Sequence, residues 1–328
     1  MSKFLLPRRI FQVFNSRPRS LGSFFFSIFK VVIWHGMGDS CCNHDSIGKI
    51  VKQIHQFSPK TFVHSIMIGE NKSSDRKAGF FGNANSEVEY VFRNLSSIPE
   101  LSKGFNAIGF SQGGLFLRAY IERYNNPPVK KLITMGSPHS GISDPPGCDD
   151  SRDSWNCRLM RSIIRGGAYS AYIRDHVIQA QYIRDQMNYD TYLKYNIFLP
   201  DINNEKTIKN QTYKKNLSQL DFFAMIRFEQ DHTLVPRNSS WFGSFEIGSQ
   251  NKEIILEDQD IYKEDWIGLK ALDAQGKLLF LSCPGEHMQF TAEYFSSEVL
   301  PLILHPRNPR KTGPRQMYGS KKQRQTVF

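Results

Sequence analysis

Residues 109–114 read Gly-Phe-Ser-Gln-Gly-Gly, which sets Ser111 between Gly109 and Gly113. The G-x-S-x-G spacing is that of a nucleophile elbow, a sharp turn that carries a serine from the end of a strand to the start of a helix. Side chains at the two glycine positions would collide with the neighbouring strand and helix, and the serine itself sits in strained backbone geometry. The turn exposes Oγ beside the first N–H groups of the helix, which lack intrahelical partners and carry partial positive charge. Such a site suits acyl transfer through a tetrahedral oxyanion. Serine at its free pKa is a poor nucleophile, so a base and a group that orients the base must be found elsewhere in the chain.

The flanking pattern has the required form. The apolar run Phe105–Phe110 predicts a strand. Gly114–Tyr124, with Leu115, Leu117, Ala119 and Ile121, predicts an amphipathic helix that Asn125-Asn126-Pro127-Pro128 stops. On this scaffold the partners follow in the order serine, acid, histidine. His35, His44, His55 and His64 precede Ser111 and fall out on order. His139 follows Ser111 closely, in Met135-Gly-Ser-Pro-His-Ser-Gly141, whereas His287 lies in a loop beyond the late strand-like run Gly276–Leu281. Ligand-handling loops of an open α/β sheet lie on that edge, which favours His287 as the base. The strand-like Asp221–Phe228 precedes Glu229-Gln-Asp231-His-Thr-Leu-Val-Pro236, so Asp231 becomes the acid, with Glu229 as its local competitor. His232 reads as an exposed or lining residue. An oxyanion hole needs a second N–H from an early strand-to-helix loop. The strand Val31–Trp34 running into His35-Gly-Met-Gly38 supplies it, and the donors are assigned to the main-chain N–H groups of Met37 and Gln112.

These elements define an α/β class chain: an α/β-hydrolase fold with a mostly parallel central sheet flanked by helices. The 328 residues accommodate one large domain, read as residues 31–304, with an insertion at about 141–220. The net charge of +11 invites a nucleic-acid reading, but its location argues otherwise. Residues 1–30 hold six Lys/Arg and residues 305–328 hold seven, with no acid in either, which leaves the stretch between them at −2. A near-neutral body excludes nucleic acid as the partner. The polar tail 305–328 reads as disordered, with weak contact to an acidic membrane surface or a polyanion as its functional alternative. Within 1–30, Arg8, Arg9, Arg17 and Arg19 precede the apolar run Leu21–Phe29, an atypical signal-like segment with little room for a cleavage site before the strand at Val31. A transit-like segment or a different start is the competing reading. The run is too short for a transmembrane helix.

The five cysteines, Cys41, Cys42, Cys148, Cys157 and Cys283, fit no zinc spacing. Cys148 and Cys157 bracket a Gly/Asp-rich loop and suit a local disulfide in an oxidising compartment. Glycosylation sequons fall at Asn71, Asn94, Asn210, Asn216 and Asn238.

Taken together, VVIWHGMGDSCC (31–42), GFNAIGFSQGG (104–114), NIFLPDIN (196–203), YKKNL (213–217), WFG (241–243) and GLKALDAQGKLLFL (268–281) resemble the palmitoyl-protein thioesterase family, in order from about Val31 to Leu304. The resemblance implies a lysosomal enzyme, and a serine–histidine–aspartate mechanism calls for no metal or organic cofactor. The resemblance implies cleavage of the thioester between a long fatty acyl chain and a cysteine of a protein or peptide. It carries Ser111, Asp231 and His287 over as the catalytic triad. It also implies a disulfide between the adjacent Cys41 and Cys42, agrees with a Cys148–Cys157 pair, and aligns Asn210 with a family glycosylation site; Asn238 is the second candidate. The chain departs from the family in several places. A further family disulfide has no cysteines here, where Val91, Phe92 and Tyr124 lie. Cys283 is left over and reads as a buried structural thiol. Ser137-Pro138 differs from the expected pair before His139.

Between Gly141 and Leu220 the pattern changes. Met160–Ile164 and Tyr169–Met187 predict helices, the second with Tyr169, Tyr172, Ile173, Val177, Ala180 and Ile183 at near-helical spacing. The resemblance implies that this insertion is a lid or lobe building much of the acyl groove. Burial of each CH₂ contributes roughly 0.8 kcal/mol, so an apolar slot dominates recognition of such a chain. Two alternatives remain at this level: a secreted lipase or carboxylester hydrolase on the same scaffold, and a catalytically silent acyl-binding protein.

Overall fold

Strand residues alternate between two apolar faces, and both are covered. The computed structural model describes residues 29–143 and 167–304. Six strands, β1 (Lys30–Trp34), β2 (Phe62–Ser65), β3 (Phe105–Phe110), β4 (Val129–Met135), β5 (Phe222–Phe228) and β8 (Leu278–Cys283), form one sheet in the order β2-β1-β3-β4-β5-β8. Every pairing in it is parallel. A separate antiparallel pair joins β6 (Ser244–Phe245) to β7 (Glu253–Ile254). Parallel strands covered on both faces read as continuous apolar runs, which is what the segments around Val31, Phe105 and Phe222 show.

Helices α1 (Ile47–Phe57), α2 (Lys72–Ala78), α3 (Ala84–Ser96) and α4 (Gln112–Arg123) punctuate the first four sheet strands. Val32, Trp34, Ala107, Leu132 and Met225 face one core, which Val88, Val91, Leu115, Ala119 and Leu217 complete. Val31, Ile33, Ile108, Ile133 and Ile226 face the other, closed by Ile47, Ile50 and Ile54 of α1 and by Val299, Leu300 and Ile303 near the C-terminal end. The doubly wound parallel sheet is the α/β-hydrolase architecture expected from the sequence. The helix after Ser111 starts at Gln112 rather than Gly114, so the turn is tighter than the pattern alone predicts.

The segment after β4 departs from expectation. The continuous helix predicted over Tyr169–Met187 is absent. In its place stand α5 (Ala171–His176) and a 3-10 turn over Ile178–Tyr182, separated by Val177 in extended conformation. The cause is tertiary backbone pairing: the Gly82 N–H donates to His176 O, Ile178 N–H donates to Phe80 O, and Ile142 bridges Ile183. These bonds to the sheet domain replace the i→i−4 ladder, and β-branched Val177 and Ile178 concede little by leaving a helix. Three short helices follow, α6 (Tyr189–Tyr195), α7 (Leu199–Ile202) and α8 (Gln211–Leu217). The predicted helix Met160–Ile164, the Cys148–Cys157 pair and the segments 1–28 and 305–328 lie outside the described residues.

Near the positions where the resemblance leads one to expect a further disulfide, Phe92 of α3 stacks on Tyr124 with ring centroids 4.2 Å apart. An aromatic pair therefore ties α3 to the end of α4.

Candidate active site

The Ser111 backbone has φ 50° and ψ −124°, the strained elbow conformation, and its N–H donates to Met135 O at 2.8 Å. The two glycines are sterically required. A Cβ on Gly109 would sit 2.2 Å from the Gly114 Cα, and one on Gly113 would sit 2.4 Å from the carbonyl oxygens of both Trp34 and His35. The elbow is thus wedged against the end of β1.

The predicted partners converge on this turn from two other strand ends. His287, in the loop after β8, has Nε2 3.0 Å from Ser111 Oγ. Asp231, in the loop after β5, has Oδ2 2.7 Å from His287 Nδ1. The second Asp231 oxygen accepts from the Thr233 and Leu234 N–H groups at 2.8 and 3.0 Å. Buried and triply hydrogen-bonded, the carboxylate is fixed in orientation and so fixes the imidazole. Phe228 packs edge-on against the imidazole, at 6.1 Å between ring centroids.

The competitors lie elsewhere. Glu229 pairs with the Arg227 guanidinium at 3.0 Å; this contact holds its pKa down against the opposing effect of burial. His232 is exposed. His139 is fully buried, stacked on Phe242 at 4.8 Å, with Nε2 bonded to Thr134 Oγ1. Burial first, then the Arg118 charge, depress its pKa well below the ordinary value, so it stays neutral as part of the core.

Met37 and Ser111 line the same cavity, and Gly36 passes so close that its Cβ would lie 3.1 Å from the Ser111 Cβ. Gln112 opens α4, so its N–H belongs to the first turn, whose donors have no intrahelical acceptor. Its side chain is equally constrained: Nε2 donates to Gly79 O at 3.1 Å and Oε1 accepts from the Tyr182 hydroxyl at 3.2 Å. This last bond joins the segment between β4 and β5 to the elbow, a link that no spacing rule in the sequence reveals.

The cavity at Ser111 holds about 590 Å³, within the roughly 300–1,000 Å³ of small-molecule sites. Its apolar wall comes from Ile47 and Ile50 of α1 and from Ile142, Tyr182, Leu234 and Phe290, with Asp39, Asn43 and Lys49 among its polar residues. Residues around the sheet and residues of the segment between β4 and β5 therefore contribute together.

Cys41 and Cys42 are joined as a disulfide at the end of the loop that carries Met37. Cys283 is buried at the end of β8, where its thiol donates to Pro284 O and burial pushes its pKa up to about 11. It is therefore an inert thiol despite its proximity in sequence to His287.

The palmitoyl protein thioesterase family profile matches residues 30–287. This chain belongs to that family. It is 40% identical to palmitoyl-protein thioesterase 1 of Caenorhabditis elegans over 82% of this chain and 90% of the relative. It is 33% identical to palmitoyl-protein thioesterase 3 of Dictyostelium discoideum, covering 83% and 91%. Lysosomal thioesterase PPT2 of Homo sapiens is 27% identical, covering 84% and 86%. Membership in the family makes this chain a hydrolase of the thioesterase class with a serine nucleophile. Among the described residues no helix is long and apolar enough to cross a membrane.

Proposed function

We propose that this enzyme removes palmitoyl and similar long acyl groups from S-acylated cysteines of proteins or peptides, by an acyl-enzyme mechanism run by Ser111, His287 and Asp231, during lysosomal degradation. One arrangement carries the reading: a serine on a strained elbow, 3.0 Å from an imidazole that is itself 2.7 Å from a buried carboxylate, opening on a largely apolar cavity.

In the first half-reaction Ser111 Oγ attacks the thioester carbonyl while His287 Nε2 takes its proton. Asp231 receives the Nδ1–H hydrogen bond, selects that tautomer and stabilises the imidazolium. The oxyanion is held by the Met37 and Gln112 amides. The C–S bond then breaks and the cysteine sulfur leaves with a proton supplied by His287. In the second half-reaction His287 activates water, which hydrolyses the acyl-serine. The acyl chain lies against Ile47, Ile50, Ile142, Tyr182 and Leu234, so α1 and the insertion form the slot between them. The family membership and the relative named as a lysosomal thioesterase support the substrate class and the compartment.

The test compares hydrolysis of an S-palmitoyl peptide with that of a palmitoyl oxygen ester, for purified enzyme at acidic and neutral pH. Preferential release of the peptide thiol supports the reading. Faster turnover of the oxygen ester points to a carboxylester hydrolase instead.

A further inference from the structure

We propose that a buried ion pair between His35 and Asp75 is the positioning device of the oxyanion hole, acting by fixing the plane of the Gly36–Met37 peptide. The proposal rests on the reading of the Met37 amide as an oxyanion donor.

The His35 ring is buried and both of its nitrogens face acceptors. Nε2 lies 3.0 Å from Asp75 Oδ1, and Nδ1 lies 2.9 Å from the Gly36 carbonyl oxygen. A neutral imidazole has one N–H and can satisfy only one of these; the imidazolium satisfies both. Asp75 is the matching anion. It is fully buried, and besides the His35 ring it accepts from the Cys41 N–H at 2.8 Å and the Ile68 N–H at 2.7 Å. Three donors aimed at one carboxyl group fix its orientation. Burial opposes the His35 cation, but the Asp75 hydrogen bond and charge, the Gly36 carbonyl and the Asp39 charge on the same loop together outweigh it and raise the His35 pKa. Glu87 of α3, pushed up to about 8 by its burial and then by Asp75, adds no competing anion at neutral pH.

The geometry gives the pair its leverage. A trans peptide is planar, with C=O and N–H pointing in opposite directions. The His35 Nδ1–H that captures the Gly36 carbonyl therefore also aims the Met37 N–H of the same peptide away from the ring. Asp75 grips the loop at both ends, through His35 at its start and the Cys41 N–H at its finish. One carboxylate thus clamps residues 35–41 onto α2, and the Met37 amide has no freedom to turn its dipole off the reacting carbonyl. His35 and Asp75 touch no reacting atom and work entirely through that peptide.

Asp75→Asn and His35→Gln, compared with wild type, test this. For S-palmitoyl peptide, kcat is expected to fall about 10- to 100-fold, a part of the roughly 10²–10³-fold loss that follows removal of one oxyanion donor. KM stays within about twofold, because the donor acts on the transition state. A palmitoyl trifluoromethyl ketone, which forms a hemiketal with the serine, loses affinity in parallel with kcat/KM, while palmitate binding is unchanged. The double variant is no worse than the single ones. Folded variants with unchanged kcat, or a kcat loss without loss of ketone affinity, overturn the proposal. For variants that do not fold, ¹⁵N spectra of ring-labelled wild-type enzyme decide: both His35 nitrogens carry protons at pH 7, and a singly protonated ring overturns it. Absence of palmitoyl-peptide hydrolysis by the wild type itself would instead remove the functional reading beneath it.

Discussion

Asp231 and His287 lie 56 residues apart in the chain, yet a carboxylate oxygen of one sits 2.7 Å from a ring nitrogen of the other. The contact depends on β5 and β8 being adjacent and parallel, so that the loops leaving their C-terminal ends emerge side by side. Because the second Asp231 oxygen is held by two backbone N–H groups, Asp231→Asn keeps one anchored oxygen and presents an amide to the ring. The imidazole is then held in the wrong tautomer. A fall in kcat of about 10⁴-fold is expected, with little change in thermal stability, measured as palmitoyl-peptide turnover alongside calorimetry. Turnover within tenfold of wild type would remove Asp231 from the relay.

Gly113 carries a steric prediction. Its missing Cβ faces two backbone oxygens at 2.4 Å, which have no rotamer by which to yield. Gly113→Ala is expected to destabilise the fold by about 1–3 kcal/mol through overpacking, and to displace the elbow from β1 with loss of turnover. Gly248→Ala is the comparison: its Cβ meets nothing within 4 Å, so only the φ of +82° opposes it. Urea midpoints for the two variants should rank in that order.

Glu87 makes stability pH-dependent with a definite sign. Burial, then the Asp75 charge, raise its pKa from 4.5 to about 8. Between those values the folded protein keeps a proton that the unfolded chain has released. The contribution is therefore complete below pH 4.5 and is lost as pH rises through about 8, of the order of a few kcal/mol. His139 works in the opposite sense: its depressed pKa costs stability as pH falls below 6.5, where the unfolded histidine gains a proton. Glu87→Gln isolates the first effect. The difference in unfolding free energy between variant and wild type should change steadily from pH 5 to pH 8; a constant difference would contradict the assignment.

The candidate glycosylation sites separate by environment. Asn210 is exposed and uses its Oδ1 to cap α8 through the Thr212 N–H at 3.0 Å. Asn238 is half-buried, accepts from Arg227, and commits its Nδ2 to Glu253. In a secretory host, Asn210→Gln should remove a glycosidase-sensitive mass shift that Asn238→Gln leaves in place. The reverse result would show that the Asn238 contacts yield to the transferase.

Much of the site was legible because each of its side chains stands just past the end of a strand with a strong apolar pattern. Once Phe105–Phe110, Asp221–Phe228 and Gly276–Leu281 read as strands, chain order selected Ser111, Asp231 and His287, and the glycines around Met37 marked the early loop. The His35–Asp75 pair escaped the same reasoning. Its members are joined only by the packing of α2 against the loop after β1, and chain order excludes His35 as the base without suggesting another use. The predicted helix at Tyr169–Met187 failed for a related reason. Its apolar spacing is real, and Val177, Ala180 and Ile183 are buried, but Tyr172 is 73% exposed and the backbone pairs with distant segments. Periodicity reports which residues seek a core, and the sheet domain decides which backbone they adopt.

Single-turnover hydrolysis of an S-palmitoyl peptide by wild type, Ser111→Ala and His287→Ala tests the central claim most directly. Wild-type enzyme should release free peptide thiol and form a palmitoyl-enzyme detectable by mass on Ser111. Ser111→Ala should form no adduct, and both variants should lose at least about 10³-fold in rate while remaining folded. An acyl adduct on another residue, or a His287→Ala enzyme as fast as wild type, would contradict the account.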